Sequence, residues 1–277
     1  MSAKNLDPHT VDGFGEEWSH FDQKQLSSNE FHEISHRYFH IFPWHKLSKN
    51  AIGFDLGCGS GRFAKYVAPR VYKLYCIDAS DKALSVAKEN LHNQLNCEFL
   101  HASVDEIPLT KNSLDFGYSL GVLHHVPNTQ EGINKCVELL KPGAPFLLYL
   151  YYALDNRPIW FKWIWFLSDQ FRKIIARLPF IVRKFCTDLL ALLIYWPLAK
   201  TSLILEKIGF NVNHFPLSAY RHNSYYTMRT DALDRFGTKL EQRFSKDEIK
   251  DMMYLAGLKN IEFSQNIPYW VAIGFKN

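Results

Sequence analysis

Between Asn50 and Tyr152, short apolar runs alternate with helix-length amphipathic stretches. That rhythm belongs to a parallel sheet whose strands are joined by crossover helices. It predicts strands over residues 51–56, 71–77, 97–102, 114–119 and 145–151, with helices over 60–68, 81–91 and 130–140. The last helix should stop at Lys141-Pro142-Gly143, a cation followed by two helix-ending residues. The pattern resumes after Arg243. There, Ser245-Lys246-Asp247-Glu248 has the form of a capping box, in which Ser and Glu satisfy each other's orphan amides. It opens a helix to about Ala256, closed by Gly257, and two more strands follow at 259–263 and 269–275. About ninety residues, 153–243, separate the two α/β portions and follow neither a strand nor a linker pattern.

At 277 residues the chain fits one α/β domain with an insertion, or a large and a small domain. Hydrophobic residues make up 47% and charged residues 22%, which provides a sizeable core and excludes global disorder. A net charge of +4 argues against a dedicated nucleic-acid binder. The five cysteines, Cys58, Cys76, Cys97, Cys136 and Cys186, form no C-x-x-C pair and have no histidine at ligand spacing, so no metal is expected. Their odd number and scatter suit a reducing compartment. The polar first 22 residues lack an apolar signal segment, and a cytoplasmic protein is expected. The most apolar run, 189–199, is shorter than the roughly 20 residues a bilayer requires, and Asp188 and Pro197 interrupt its surroundings.

The chemistry concentrates at Gly53-Phe54-Asp55-Leu56-Gly57-Cys58-Gly59-Ser60-Gly61-Arg62. A buried strand runs into a glycine turn and then a helix, so backbone can approach a ligand where a side chain would collide. A dinucleotide fingerprint would read G-x-G-x-x-G. Here the spacing is G-x-G-x-G, with an acid two residues before the first glycine. That acid suits a ligand with a cationic amino-acid tail and would repel a pyrophosphate.

This stretch resembles motif I of the class I S-adenosylmethionine (SAM)-dependent methyltransferases, of the small-molecule type with a UbiE/methyltransferase-11-like core. Further stations follow in that family's order. Tyr75-Cys76-Ile77-Asp78 ends a strand on an acid, 101–108 resembles the adenine-binding segment, 114–126 resembles the fourth-strand motif, and 139–144 matches the turn into the fifth strand. The resemblance implies a Rossmann-like, doubly wound, seven-stranded and mostly parallel sheet with a helical insertion after strand 5. It implies cofactor contacts from Asp55, Gly57, Cys58, Gly59, Gly61, Asp78, Ala79, Ser103, Val104, Asp105 and Leu120. Asp78 would take the ribose hydroxyls and Asp105 the adenine amino group. The lead-in Phe14-Gly15-Glu16-Glu17-Trp18-Ser19-His20-Phe21 resembles the start of small-molecule methyltransferases. Its aromatics either form a lid over the cofactor, Trp18 included, or pack into the core.

Four segments are therefore expected: a helical lid (1–49), the SAM-binding core (50–152), a helical insertion or substrate cap (153–243) and a C-terminal completion of the core (244–277). The product would be S-adenosylhomocysteine. An oxygen acceptor needs a base, and His125 or His124, at the mouth of the fourth strand, has the titration range for it. No Asn/Asp-Pro-Pro-Tyr-type tetrad is present, which points away from nucleic-acid and protein-glutamine amino groups.

Residues 158–207 carry ten aromatics and eight Lys/Arg against three acids. Two helices broken near Pro179 account for the pattern. They form a cap on the core, a homodimer interface, or a peripheral membrane contact. Beyond them, Arg221, Tyr225, Tyr226 and Arg229 lie in a connection dense in hydrogen-bonding groups, either a substrate site or an ordinary solvated loop. The leading expectation is O-methylation of a sugar-like or related small metabolite. The alternatives are a membrane-associated C- or O-methyltransferase of a quinone or lipid-linked acceptor, and a SAM-binding sensor or subunit without turnover.

Overall fold

A computed structural model describes residues 5–277; the first four residues of the predicted 1–49 segment lie outside it. Two helices come first, α1 (Pro8–His20) and α2 (Ser28–Phe39). Then β1 (Ile52–Leu56), α3 (Arg62–Val67), β2 (Lys73–Asp78), α4 (Asp81–Asn90), β3 (Cys97–His101), β4 (Phe116–Leu120), α5 (Thr129–Leu139) and β5 (Pro145–Tyr149) alternate as the hydrophobic pattern requires. The capping box at Ser245 and Glu248 forms, and it starts α10 (Lys246–Leu255). β6 (Leu258–Phe263) and β7 (Val271–Lys276) finish the sheet.

The seven strands lie in the order β3-β2-β1-β4-β5-β7-β6. β1 to β5 are parallel, and β7 enters antiparallel between β5 and β6. The order reverses at β1, between β2 and β4, which leaves a crevice at the carboxyl ends of these strands. Two apolar clusters sandwich the sheet. One gathers Phe39, Phe42, Leu74 and Phe116, and the other gathers Phe54, Ile133, Phe146 and Met253. Fully buried central strands explain why β4 and β5 read as continuous apolar runs.

The described residues fold into two compact units, one made of residues 5–24, 32–153 and 240–277, the other of residues 25–31 and 154–239. The second unit is helical. It holds α6 (Ile159–Ile175), α7 (Phe180–Leu190), α8 (Trp196–Lys207) and α9 (Tyr225–Gly237). The break at Pro179 is present, but Pro197 does not end the next helix. Residues Ala191–Tyr195 widen into a π turn, with the Trp196 amide donating to the Ala191 carbonyl, and α7 continues into α8. A wider turn absorbs a proline, which has no amide hydrogen and crowds the preceding turn. The resulting helix, Phe180–Lys207, has 28 residues and is long and apolar enough to cross a membrane by length and composition. The expectation that this region is too short is corrected on that point. The tract containing Tyr225 and Arg229, expected as a connection, is the helix α9, started by the Ser224 hydroxyl accepting the Thr227 amide.

Candidate functional site

The turn after β1 is built from left-handed backbone. Gly57 and Gly59 have φ of +74° and +53°, a region that glycine enters without strain. A Cβ on Gly57 would lie 2.3 Å from Val122 Cγ2, and one on Gly59 would lie 2.8 Å from Trp18 Nε1. The Gly57 and Cys58 amides donate to the Ile77 carbonyl, which locks the turn to the end of β2. Asp78 ends that strand. Its carboxylate accepts from the Gly59 amide at 2.9 Å and the Ser80 amide at 2.9 Å. Burial pushes the Asp78 carboxyl up, while these two amides and His101 draw it back.

The crevice at the strand ends is a cavity of about 820 Å³, part of it open to solvent. Its floor comes from Leu56, Gly57, Asp78 and Ala79, and one wall comes from Ala102, Ser103 and Val104. The turn after β4 (Leu120 to Val122) and His125 form another wall. Leu123, Val126, residues 5–7 and Thr10, Val11, Phe14 and Trp18 complete the lining. α1 is anchored by Asp7, whose carboxylate accepts from the Thr10 amide and hydroxyl, and Pro8 follows at the first helical position. Ahead of it, Asn5 donates its backbone amide to Asp105 and exchanges side-chain hydrogen bonds with the Asn128 backbone.

The two histidines occupy different environments. His124 is completely buried and stacks on Tyr151 at 3.9 Å between centroids. Burial, with His125 and Arg243 nearby, holds its imidazole well below the usual histidine range. His125 lines the cavity, and Phe14 lies 5.0 Å away. Its Nδ1 sits 2.6 Å from the Leu240 carbonyl oxygen. A carbonyl only accepts, so Nδ1 carries the hydrogen, and in the neutral ring Nε2 holds the lone pair. The turn is braced by Gln242, whose amide donates to the His124 carbonyl and whose side chain donates to the Val126 carbonyl.

Residues 54–148 match the Methyltransf_11 family model, described as a methyltransferase domain. With the G-x-G-x-G turn, Asp78 and the observed strand order, that match marks residues 54–148, about a third of the chain, as a methyltransferase domain. The chain carries a class I SAM-dependent methyltransferase domain. It is similar to the tRNA (carboxymethyluridine(34)-5-O)-methyltransferase of Schizosaccharomyces pombe, 30% identical over 127 residues, covering 42% of this chain and 51% of that protein. It is also similar to the ubiquinone biosynthesis O-methyltransferase of Dechloromonas aromatica, 30% identical over 146 residues, covering 46% of this chain and 62% of that protein. The chain thus spans about half to three fifths of the length of these relatives. A chain of the solved complex between the Haloferax volcanii Trm112 methyltransferase activator and a methyltransferase shares the fold. There the TM-score is 0.52 at 13% identity, covering 95% of this chain and 96% of that one.

Of the expected site residues, Gly57, Asp78, Ala79, Ser103, Val104, Leu120, Trp18 and His125 all line the cavity. Gly59 does not, but it fastens Asp78 and leaves room for Trp18. Gly61 packs against Leu91, and Cys58 is buried in the core. Asp55 is buried below the turn, because strand alternation places it beside Cys76 and Tyr118 on the neighbouring strands and off the cavity lining. Burial pushes its carboxyl well up; the Tyr118 hydroxyl opposes that shift and the Asp78 carboxylate reinforces it. Asp105 also lies off the lining, with a carboxylate oxygen taken by Asn5.

The arginines expected at a substrate site are committed within the helical unit. Arg221 holds Glu206 through two hydrogen bonds of 2.9 and 2.8 Å, and Arg229 holds Asp188 through two of 2.8 and 3.0 Å. A fork engaged by a carboxylate on both prongs presents no bidentate face to a ligand. Tyr225 donates to the Asp188 carbonyl at 3.5 Å, and Tyr226 is the second residue of α9; neither is among the cavity lining. Sequence reasoning missed Asn5, Leu240 and Gln242. Asp7-Pro8 carried a helix-start signal, but a backbone carbonyl such as Leu240's leaves none.

Proposed function

We propose that the chain transfers a methyl group from SAM to an oxygen of a small-molecule acceptor. The observation that carries this reading is the Asp78 carboxylate, in the cavity lining and already held by two backbone amides. A carboxylate has about four acceptor positions, so two remain for a vicinal diol such as a ribose. Val122 and Trp18 pack directly on the Gly57 and Gly59 backbone, so the turn that fastens Asp78 admits no side chain at either position. The residues present therefore fit the cofactor.

When bound, the cofactor supplies an electrophilic sulfonium methyl. Asp78 would orient the ribose, with the turn after β1 as its support. Phe14 and Trp18 exclude water, a competing nucleophile. His125 accepts the acceptor's hydroxyl proton on Nε2 as its oxygen takes the methyl, while Nδ1–H stays fixed on the Leu240 carbonyl. That proton then passes to solvent. Alignment of the acceptor supplies much of the remaining acceleration. A hydroxylated, sugar-like metabolite satisfies this chemistry. An amphiphilic quinone or lipid-linked acceptor is a second reading, favoured by the apolar surface of the helical unit; the D. aromatica relative is named for ubiquinone biosynthesis.

The test is incubation with SAM carrying a labelled methyl and a cell extract, followed by partition between organic and aqueous phases. Label should appear in product, and His125→Ala should lower turnover on the order of 10²-fold or more with cofactor affinity kept. Water-soluble label selects the sugar-like acceptor, and organic-phase label selects the amphiphile. Cofactor binding with no transfer to any extract would replace catalysis by the sensor reading.

A further inference from the structure

Nineteen of the 24 large apolar side chains that the described residues expose lie between Ile159 and Phe210. In α6 they include Trp160, Trp163, Ile164, Leu167, Phe171 and Ile174, whose spacing of three and four places them on one helix face. The helix that follows repeats the pattern with Ile181, Phe185, Leu189, Leu192, Leu193 and Trp196. A monomer in water rarely exposes large apolar side chains at such a concentration. The unit's own core is small, made of Ala191, Tyr195, Ala199, Tyr220, Met228 and Ala232 with a few partly buried neighbours.

The charges sort with the same logic. The carboxylates of Asp169, Asp188 and Glu206 are all ion-paired inside the unit, with Arg172 and Lys173, with Lys184 and Arg229, and with Arg221 and His222. Lys162, Arg177 and Lys207 are at the surface, so the surroundings of the apolar face are positive and its acids are already engaged. A second copy would bring the same positive rim and repel it. An anionic bilayer surface complements it.

We propose that α6 and the Phe180–Lys207 helix dock in the plane of an anionic phospholipid leaflet, with their aromatic faces inserted and Lys162, Arg177 and Lys207 at the headgroups. The helix does not span. Its opposite face (Arg183, Thr187, Ala191, Tyr195, Ala199 and Ser202) is buried, and it packs on α9, which also carries Arg229 into the Asp188 pair. Polar and charged groups on a packed face cannot turn to hydrocarbon. The helix would therefore lie with half its surface in protein and half in the acyl boundary, as interfacial amphipathic helices do. This inference stands independently of the methyl-transfer reading.

The test is co-sedimentation of the full chain with vesicles of phosphatidylcholine alone and of phosphatidylcholine with phosphatidylglycerol. Binding should favour the anionic vesicles and weaken with salt. Each of Lys162→Glu and Arg177→Glu should reduce it by at least about fivefold, the scale of one juxtamembrane cation. Trp163→Asp with Phe185→Asp should abolish it, with helix content by circular dichroism retained. Alkaline carbonate should release bound protein. The proposal is overturned if the chain ignores both vesicles, if sedimentation shows a dimer that hides the face, or if carbonate fails to extract it.

Discussion

At the residue scale the two histidines, adjacent in sequence, do different physical work. His125 has a fixed tautomer and reaches the cavity, whereas His124 sits under Tyr151, shut off from solvent. His124 therefore links to stability. Its folded affinity for a proton is depressed, while in the unfolded chain it protonates near pH 6.5. Its contribution is fully present above that pH and is lost as pH falls below it, at up to about 1.4 kcal/mol per pH unit. His124→Leu should remove this part of the slope, so the melting temperatures of variant and wild type should converge or cross between about pH 7.5 and 5.5. Parallel curves would mean that His124 titrates normally. In the sequence, Asp78 was legible because it ends a strand in a known context. Asp55 and Asp105 were assigned to the cofactor by resemblance. Strand alternation turns one towards Tyr118, and Asn5 engages the other. Neither fact could be read without tertiary contacts.

At the element scale the hydrophobic period located all seven strands and the helices of the core, since the inner strands are largely buried and carry an unmixed signal, while the edge strands β3 and β6 are only partly buried. The period failed in the helical unit for a specific reason. Pro197 normally ends a helix, but a π turn just before it carries the chain through. α9 was missed because its first turn is rich in Tyr, Thr and Arg and half of its buried positions, Thr227, Thr230 and Gly237, are polar or glycine. The glycine turn and α1 act together, and Gly59→Ala tests this. The new Cβ would meet the Trp18 indole at 2.8 Å in a backbone region costing alanine about 1–2 kcal/mol. The variant should shift Trp18 fluorescence and weaken S-adenosylhomocysteine binding about tenfold. An unchanged affinity would separate the lid from the site.

At the scale of the molecule, one unit is an ordinary α/β core that exposes few large apolar residues, and the other exposes about half of its own. The composition of residues 158–207 was legible from the sequence, but its exposure was not: aromatics at helical spacing read equally as core, dimer interface or membrane face. The methyltransferase reading, in turn, depends on the first unit alone, through the cavity at the switch point of its sheet. Calorimetric titration of S-adenosylhomocysteine into the wild type and Asp78→Asn tests it most directly. Asparagine keeps the shape but loses the charge that would hold two ribose hydroxyls, at roughly 1.5–3 kcal/mol for each such hydrogen bond. The account predicts saturable binding to the wild type, at least about tenfold weaker binding to the variant, and equal melting temperatures within a few degrees. No binding to the wild type, or equal affinity for both proteins, would contradict it.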